Sequence, residues 1–249
     1  MTDRKTRADA FRALHVRGDP LVLFNAWDAG SAAAIARGGA KAIATGSWSV
    51  AGAYGFADGQ AMPFDLAMAN LGRIIDSVDL PVSVDLEAGY GDAPEDVARS
   101  VAAAGAAGAI GCNLEDGIPG GGFYEPARQA ERFAAARDAD PLMFLNARID
   151  TFLRADPSAH GELMEDALAR AAAYADAGAD GIFLPGLADE GLIARAADAI
   201  KLPLNIMAMP STPPRARLAA LGVARVSHGP GPWRLAMDAV EQAARAAMG

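Results

Sequence analysis

The chain has 249 residues, a formal net charge of −9 and one cysteine, Cys112. Its hydrophobic content of 52% excludes intrinsic disorder, because disordered chains lack the apolar residues that build a core. A single cysteine excludes an internal disulfide scaffold, and the 22 basic residues are scattered, which argues against nucleic-acid binding. No apolar run reaches the roughly 18 residues that cross a membrane, and no secretion signal is evident at the N-terminus. We therefore expect a cytoplasmic protein.

Eight short apolar runs recur along the chain and alternate with alanine-rich stretches of helical spacing. The predicted strands are Leu21–Ala26, Ala42–Thr45, Val82–Leu86, Ala109–Leu114, Leu142–Ala147, Gly181–Leu184, Leu204–Met207 and Ala224–Ser227. The predicted helices are Arg4–Arg17, Pro63–Val78, Pro94–Ala104, Glu125–Asp138, Glu162–Ala177, Asp189–Ile200, Pro213–Leu221 and Pro232–Met248. Uninterrupted apolar strands are typical of a parallel sheet that is covered on both faces.

Eight strand–helix units in about 250 residues predict an α/β fold, a (β/α)8 TIM barrel. An open doubly wound sheet is the alternative architecture. No linker or shift in composition divides the chain, so we expect one domain over residues 1–249. Active sites of such barrels lie at the C-terminal ends of the strands, which makes the polar residues at those ends the candidates for function.

Acidic side chains follow three of the predicted strands. Asp58 comes after the second strand, Asp85 and Glu87 end the third, and Glu115 ends the fourth. Carboxylates that crowd together raise one another's pKa, and a hard divalent cation offsets this repulsion. We interpret the four as ligands of Mg²⁺, with Mn²⁺ as a possible substitute.

Arg148, at the end of the fifth strand, offers a planar guanidinium fork for a substrate carboxylate. It could equally pair with Asp150 or Glu115. We take Arg148 and Glu115 as candidate catalytic residues. His228, after the eighth strand, is a third candidate as a general acid or base, with a capping or supporting role as the alternative.

Two further residues at strand ends, Trp27 and Asn205, are candidate substrate contacts. Other strand-end residues have simpler interpretations. Asp92, just before Ala93-Pro94, and Asp28, before Ala-Gly-Ser, are expected to cap the helices that follow. Cys112 lies inside an apolar strand, so we expect an inert packing residue.

Several motifs in chain order now carry a resemblance. They are Asn25-Ala-Trp-Asp28, Gly46-Ser-Trp-Ser49 with Asp58, Asp85-Leu-Glu-Ala-Gly-Tyr-Gly-Asp92, Asn113-Leu-Glu-Asp116, Asn146-Ala-Arg-Ile-Asp150 and Ala177-Gly-Ala-Asp-Gly-Ile-Phe183. Together they resemble the isocitrate lyase/phosphoenolpyruvate mutase superfamily, from about Phe24 to Gly229. The first of the Asp-rich stretches, Asp85–Asp92, is the most specific.

The resemblance implies Mg²⁺ bound mainly by Asp85, partly through water, with Asp58, Glu87 and Glu115 around it. It implies a small 2-oxo acid, or a related hydroxy acid or dicarboxylate, that chelates this metal. Backbone N–H groups near Ser47 and Trp48 would hold a substrate oxygen. It further implies a homodimer or homotetramer in which the last helix is exchanged between subunits.

One loop departs from the family. The lyase branches carry a Lys-Lys/Arg-Cys-Gly-His loop after strand four, whose Cys donates a proton, and the mutase and hydrolase branches carry a Lys and an Asn there. Here the stretch is Gly117–Tyr124, with none of these residues. Its glycines suit a mobile lid.

The function that these features favour is a Mg²⁺-dependent carbon–carbon lyase. It would cleave or decarboxylate a small 2-oxo acid, such as oxaloacetate, through an enolate-type intermediate. Decarboxylation tolerates the missing loop best, because it needs less proton donation from side chains. The alternatives are P–C bond chemistry of the phosphonopyruvate hydrolase or phosphoenolpyruvate mutase kind, and a non-catalytic 2-oxo-acid-binding protein.

Overall fold

The structure is a computed structural model that describes residues 3–249. Within these residues nine β-strands form one sheet, and every pair of neighbouring strands is parallel. The strands are β1 (Leu21–Leu23), β2 (Asn25–Ala26), β3 (Ile43–Thr45), β4 (Val82–Asp85), β5 (Gly111–Glu115), β6 (Phe144–Arg148), β7 (Gly181–Leu184), β8 (Leu204–Met207) and β9 (Arg225–Ser227).

Strands β1 and β2 are two halves of one strand, separated only by Phe24. The first half pairs with β9 and the second half pairs with β3, so this strand joins the two edges of the sheet. Eight strands in spatial sequence therefore close into a barrel. The (β/α)8 prediction is confirmed, and the open-sheet alternative is wrong.

Helices separate the strands and cover the barrel. They are α1 (Arg4–Ala13), α2 (Ala29–Arg37), α3 (Ser47–Ala53), α4 (Phe64–Asp76), α5 (Pro94–Ala106), α6 (Pro126–Ala139), α7 (Thr151–Arg154), α8 (His160–Asp176), α9 (Glu190–Ala199), α10 (Arg215–Ala220) and α11 (Gly231–Met248). The sequence predictions did not include α2, α3 and α7. Among residues 3–249 no helix has both the length and the apolar character to cross a membrane.

Alanine packs the interface between the helices and the barrel. Ala104 on α5, Ala136 on α6 and Ala167 on α8 are at most 1% exposed and belong to the main hydrophobic core. A methyl side chain lets a helix approach the sheet closely and favours the helical backbone. The high alanine content therefore serves the outer layer of helices.

The two predicted helix caps have different outcomes. Asp28 does cap α2, since its Oδ1 accepts a hydrogen bond of 2.7 Å from the Ser31 N–H. Asp92 does not cap α5, because Ala93 occupies that position and Asp92 Oδ1 instead accepts a bond of 2.6 Å from the Tyr124 hydroxyl. Pro94 takes the first helical position, which starts the helix one residue later than a cap at Asp92 requires.

Helix α1 closes the N-terminal end of the barrel. Phe11 is fully buried there and packs edge-on against His15, with ring centroids 4.9 Å apart, and against Phe144 at 5.5 Å. The His15 ring in turn stacks on Phe144 at 4.2 Å. The barrel floor is thus aromatic and packed, whereas active sites of this fold lie at the opposite, C-terminal end.

Candidate active site

Asp85 ends β4 at the C-terminal mouth of the barrel. Its Oδ2 accepts hydrogen bonds from the backbone N–H of Ser47 at 3.2 Å and from the Ser47 hydroxyl at 3.0 Å. Its own N–H donates to Thr45 Oγ1 at 3.0 Å. The side chain is only 8% exposed. The first turn of α3 therefore holds this carboxylate in place. The Ser47 N–H, which the resemblance assigns to substrate binding, donates to Asp85 in this structure.

Glu87 is 4% exposed and ties the loop after α3 to the end of β4. Its Oε2 accepts bonds from the N–H groups of Gly59 at 2.8 Å and Gln60 at 2.6 Å. Burial, together with the charges of Asp85 and Asp58, raises the pKa of Glu87 to about 7. Burial and Asp85 likewise raise the pKa of Asp58. Asp85 is thus close enough to Glu87 and Asp58 for its charge to oppose the ionisation of both.

Arg148, at the end of β6, links the acidic residues. Its Nη1 lies 2.9 Å from Glu115 Oε2 and 3.9 Å from Asp85 Oδ2. Its Nε and Nη2 donate to the two oxygens of Asp150 at 2.6 and 3.2 Å. Both partners suggested by the sequence, Asp150 and Glu115, therefore pair with Arg148 at once. The fork is largely engaged by protein carboxylates and is held rigidly at the mouth.

Burial dominates the ionisation of these groups. It raises the pKa of Glu115 to about 8, although Arg148 acts in the opposite direction. Burial opposes the charged form of Arg148 too, but Glu115 and Asp150 hold the pKa of Arg148 above its usual range. The arginine is therefore a permanent cation within a cluster that carries an excess of negative charge.

The donor set fits a hard divalent cation. Asp58, Asp85, Glu87 and Glu115 supply only oxygen ligands, and a cation among them would offset the repulsion between their negative charges. Among residues 3–249 no three His, Cys, Asp or Glu side chains are close enough to ligate one ion together. Mg²⁺ usually binds through one or two carboxylates and keeps several waters, which suits this arrangement.

Other predicted residues lie apart from the carboxylates. The Trp27 ring packs edge-on against Trp233 at 5.2 Å and lines a groove outside the barrel. The His228 ring lies 4.9 Å from the ring of Phe24, which lines the same groove. Burial lowers the pKa of His228. The structure thus brings neither Trp27 nor His228 to the acidic cluster, and we leave both out of the proposed site.

Trp48 and Asn205 take different positions relative to the mouth. Trp48, next to Ser47 on α3, is 40% exposed and lies beneath the guanidinium of Arg234 at 5.0 Å. Asn205 is fully buried and donates to Ser227 Oγ at 3.0 Å. Trp48 remains accessible to a ligand, whereas Asn205 belongs to the polar interior of the barrel.

The stretch that replaces the family's loop folds back on itself. Gly117 pairs with Phe123 in an isolated bridge, and the Ile118 N–H donates to Gly122 O at 3.0 Å. Arg154 of α7 donates to Gly122 O at 2.9 Å and lies 5.2 Å from the Phe123 ring centre. A Cβ at Gly117 would collide with the Arg154 guanidinium. The hairpin is therefore held against α7 by contacts with Arg154. It contains no Cys, Lys or His.

Sequence reasoning missed two arginines near the site. Arg154 contacts the Asp150 carboxylate at 3.6 Å and extends the chain of charges from Arg148. Arg225, on β9, is 1% exposed inside the barrel. A charged residue within an otherwise apolar strand was the available signal for Arg225. Cys112 has the inert role expected of it, since it is fully buried and burial raises the pKa of its thiol.

Two curated relatives match most of the chain. The chain is 32% identical over 217 residues to 2-methylisocitrate lyase of Salmonella typhimurium, a match that covers 82% of this chain and 71% of the relative. It is 32% identical over 189 residues to an oxaloacetate decarboxylase of Ectopseudomonas mendocina, which covers 74% of this chain and 63% of the relative. The names of both relatives describe enzymes that act on organic acids.

Solved structures share the fold. A candidate phosphonomutase from Burkholderia cenocepacia superposes with a TM-score of 0.96 at 49% identity, over 98% of this chain and 100% of that one. A phosphonopyruvate hydrolase in complex with oxalate and Mg²⁺ superposes with a TM-score of 0.84 over 95% of this chain and 84% of that one. Its identity is 23%, so this second likeness supports the fold alone.

A sequence profile of the family described as phosphoenolpyruvate phosphomutase matches residues 11–248, nearly the whole chain. This match agrees with the motifs at the strand ends and with the barrel. The chain therefore belongs to the phosphoenolpyruvate phosphomutase family, within the isocitrate lyase/phosphoenolpyruvate mutase superfamily.

Proposed function

We propose that the protein is a Mg²⁺-dependent lyase that breaks a carbon–carbon bond in a small 2-oxo acid or a related hydroxy acid. The observation that carries this proposal is the cluster at the mouth, where Asp85 and Glu115 lie beside one engaged arginine, Arg148, and Glu87 lies near Asp85. Such a cluster has an excess of negative charge that a divalent cation would offset, and the bound cation would in turn coordinate an anionic substrate.

In this proposal Asp85 is the main ligand of Mg²⁺, with Asp58, Glu87 and Glu115 around it. When bound, the ion supplies a Lewis acid for the substrate oxygen on which charge develops. Ser47 fixes the orientation of the Asp85 carboxylate through two hydrogen bonds. Arg148 contributes a fixed positive charge at the mouth, which favours an anionic substrate and the enolate-type intermediate derived from it.

Decarboxylation is the reaction that this chain favours among those of its relatives. The hairpin Gly117–Tyr124 offers no thiol, imidazole or amine as a proton donor, and its contacts with Arg154 hold it against α7. Loss of CO₂ from C4 of oxaloacetate, the carboxylate β to the 2-oxo group, leaves the enolate of pyruvate, which solvent can protonate. The oxaloacetate decarboxylase among the relatives supports this choice.

The direct test is an assay of oxaloacetate and other 2-oxo acids with Mg²⁺, with Mn²⁺ and with a chelator, following CO₂ and pyruvate. We expect turnover that the chelator abolishes and that Asp85→Ala lowers at least ~10³-fold. Asp79→Ala is the matched control, because it removes an acid whose side chain is 99% exposed. Turnover that survives in the Asp85 variant or in chelator would refute the proposal.

Two other outcomes of the same assay would replace the proposed reaction. Release of phosphate from phosphonopyruvate, with no reaction of the 2-oxo acids, would assign P–C bond chemistry. Binding of 2-oxo acids without turnover of any substrate would assign a non-catalytic binding protein.

We also propose that the protein forms a homodimer or homotetramer through exchange of α11. After Pro232 nearly every residue of this helix is solvent-exposed or half-exposed, including Leu235 at 67% and Val240 at 62%. A groove of about 800 Å³ lies between the helix and the barrel. Its apolar lining includes Val22, Phe24, Trp27, Ile35, Leu235 and Ala236. An exposed apolar helix beside an apolar groove is typical of a surface that a second copy covers.

Light scattering after size-exclusion chromatography tests this assembly. We expect an oligomer for the wild type and a monomer for Leu235→Glu combined with Val240→Glu, because two buried charges would oppose the contact. Gln242→Glu, which adds one negative charge to the same helix, is the control. A wild type that is monomeric at micromolar concentration would refute the exchange.

A further inference from the structure

The Arg225 side chain crosses the interior of the barrel. Its strand, β9, is flanked by β1 and β8, yet Arg225 Nη2 donates to Asn113 Oδ1 on β5 at 3.2 Å. Its Nε lies 3.3 Å from Oγ of Ser227, which is two residues later on the same strand and points to the same face. Since β5 lies on the opposite side of the barrel from β9, the guanidinium occupies the interior, one layer below the mouth.

Two glycines on other strands face the same tightly packed interior. A Cβ at Gly111 would lie 2.9 Å from Phe11 Cε1, and a Cβ at Gly181 would lie 2.9 Å from Asn146 Oδ1. Side chains on β5 and β7 are therefore excluded at these two positions. Phe11, Phe144 and Asn146 occupy the space at these positions, and Asn146 shares the Asn113 Oδ1 acceptor with Arg225.

This buried cation has no acidic partner at contact distance. Within residues 3–249 no carboxylate forms an ion pair with Arg225, and its Nη1 is buried without a hydrogen-bond partner. Burial lowers the pKa of Arg225 to about 9, so the group still carries its charge at neutral pH. A buried charge without a contacting counter-ion is costly, and its field extends far because little water screens it.

The acidic cluster lies directly above this charge. Asn113, which accepts from Arg225, pairs in register with Asp85 and is two residues before Glu115 on the same strand. Asn146 also donates to Asn113 Oδ1, at 2.8 Å, and is two residues before Arg148. Arg225 therefore anchors the layer of polar side chains on which the mouth rests, and its charge acts on the mouth through the dry interior.

We propose that Arg225 is a specificity-determining residue whose buried charge weakens the binding of the divalent cation and strengthens the binding of the anionic substrate. This inference rests on the proposed function of the site. Four carboxylates without Arg225 would hold the metal more tightly and repel an anion more strongly. A cation beneath them shifts the balance toward the anion.

Calorimetric titrations of Mg²⁺ alone, and then of oxalate at saturating Mg²⁺, separate the two effects. Arg225→Gln and Arg225→Met both remove the charge, the first with a polar side chain and the second with an apolar one. In each we expect Mg²⁺ to bind about tenfold more tightly and oxalate about tenfold more weakly, the size of one unit-charge interaction across a protein interior. Arg225→Lys replaces the guanidinium by an amine that burial deprotonates more readily, so both of its affinities should fall between those of the wild type and those of the neutral variants.

Opposite signs distinguish a charge effect from a packing effect. Arg7→Gln removes an arginine charge at the surface, from an ion pair with Asp79, and should change neither affinity. If the neutral variants retain native circular dichroism but weaken both ligands, or change neither, the inference is refuted and Arg225 has only a packing role. If the wild type binds neither Mg²⁺ nor oxalate, the proposed function fails before the variants are compared.

Discussion

At the C-terminal end of the barrel the strand ends carry Asp85, Glu115 and Arg148, whereas at the N-terminal end α1 packs Phe11 into an aromatic floor with Phe144. Burial and mutual repulsion raise carboxyl pKa values at the first end. The second end gains stability from apolar contact. One fold thus keeps binding and stability at opposite ends, so substitutions at the two ends should affect activity and stability separately.

The largest effect should follow Asp85→Asn. The amide keeps the shape of the side chain but loses the charge that would bind Mg²⁺, so we expect activity to fall at least ~10³-fold. The free energy of unfolding should change little or rise, because one member of a repelling cluster is gone. Steady-state kinetics and urea denaturation measure the two quantities on the same preparation. A variant that loses both activity and stability would remove the distinction between the two ends.

Phe11→Ala should have the opposite effect, a loss of stability with activity retained. Phe11 is fully buried against His15 and Phe144, and truncating a buried phenylalanine costs about 3–5 kcal/mol. We expect the free energy of unfolding, measured by urea denaturation, to fall by that amount. The Mg²⁺ dependence of turnover at low temperature should stay unchanged. Ala10→Gly, at an exposed position of the same helix, is a control for helix propensity. Lost metal dependence in Phe11→Ala would show that the ends are coupled.

The fold was largely predictable because its strands are uninterrupted apolar runs. All eight predicted strands are present, and their ends differ from the observed ones by three residues or fewer. The short helices α3 and α7 were missed because they lie in strand-to-helix loops and have too few residues to show helical periodicity. For α2 the sequence indicates the cap, Asp28, but the short Ala-rich stretch that follows carries no clear helical periodicity.

The acidic cluster was predictable because parallel strands end at the same edge of a barrel. The direction of each side chain was not. Neighbouring residues of a strand point to opposite faces, so Ser227 points inward to Asn205 while His228 lies against Phe24 on the outside. Pairing across the barrel, such as Arg225 to Asn113, depends on the register of all the intervening strands, which no local pattern contains.

His15 allows the floor to be tested through pH. Burial, with a further contribution from Arg225, lowers the pKa of His15 to about 3, against about 6.5 in an unfolded chain. Below pH 6.5 the unfolded state takes up a proton that the folded state refuses, so stability falls as the pH falls from 6.5 toward 3. Between pH 7 and pH 5 this loss is up to about 2 kcal/mol.

The variant His15→Phe keeps a ring against Phe144 and removes the titration. Its urea stability should therefore depend less on pH between 7 and 5 than that of the wild type. His160→Phe is the matched control, since His160 lies on α8 against Phe152, away from the floor. Parallel pH profiles for His15→Phe and the wild type would contradict the assignment.

The smallest effect concerns Glu87, and it bears directly on the charge at the mouth. Glu87→Gln keeps an oxygen that can accept from Gly59 and Gln60 but removes a buried charge near Asp85 and Asp58. Because the folded state raises the pKa of Glu87 to about 7, the wild type loses stability as the pH rises through that value. In chelator at pH 8 we therefore expect the variant to be more stable by about 1 kcal/mol, after screening by solvent.

Mg²⁺ should stabilise the wild type more than the variant and so reduce or reverse this difference. Urea denaturation with and without Mg²⁺ measures both, with Glu190→Gln, at an exposed position of α9, as the control. If Glu87→Gln is the less stable protein in chelator, the carboxylates at the mouth do not oppose folding, and the contrast between the two ends of the barrel loses its electrostatic basis.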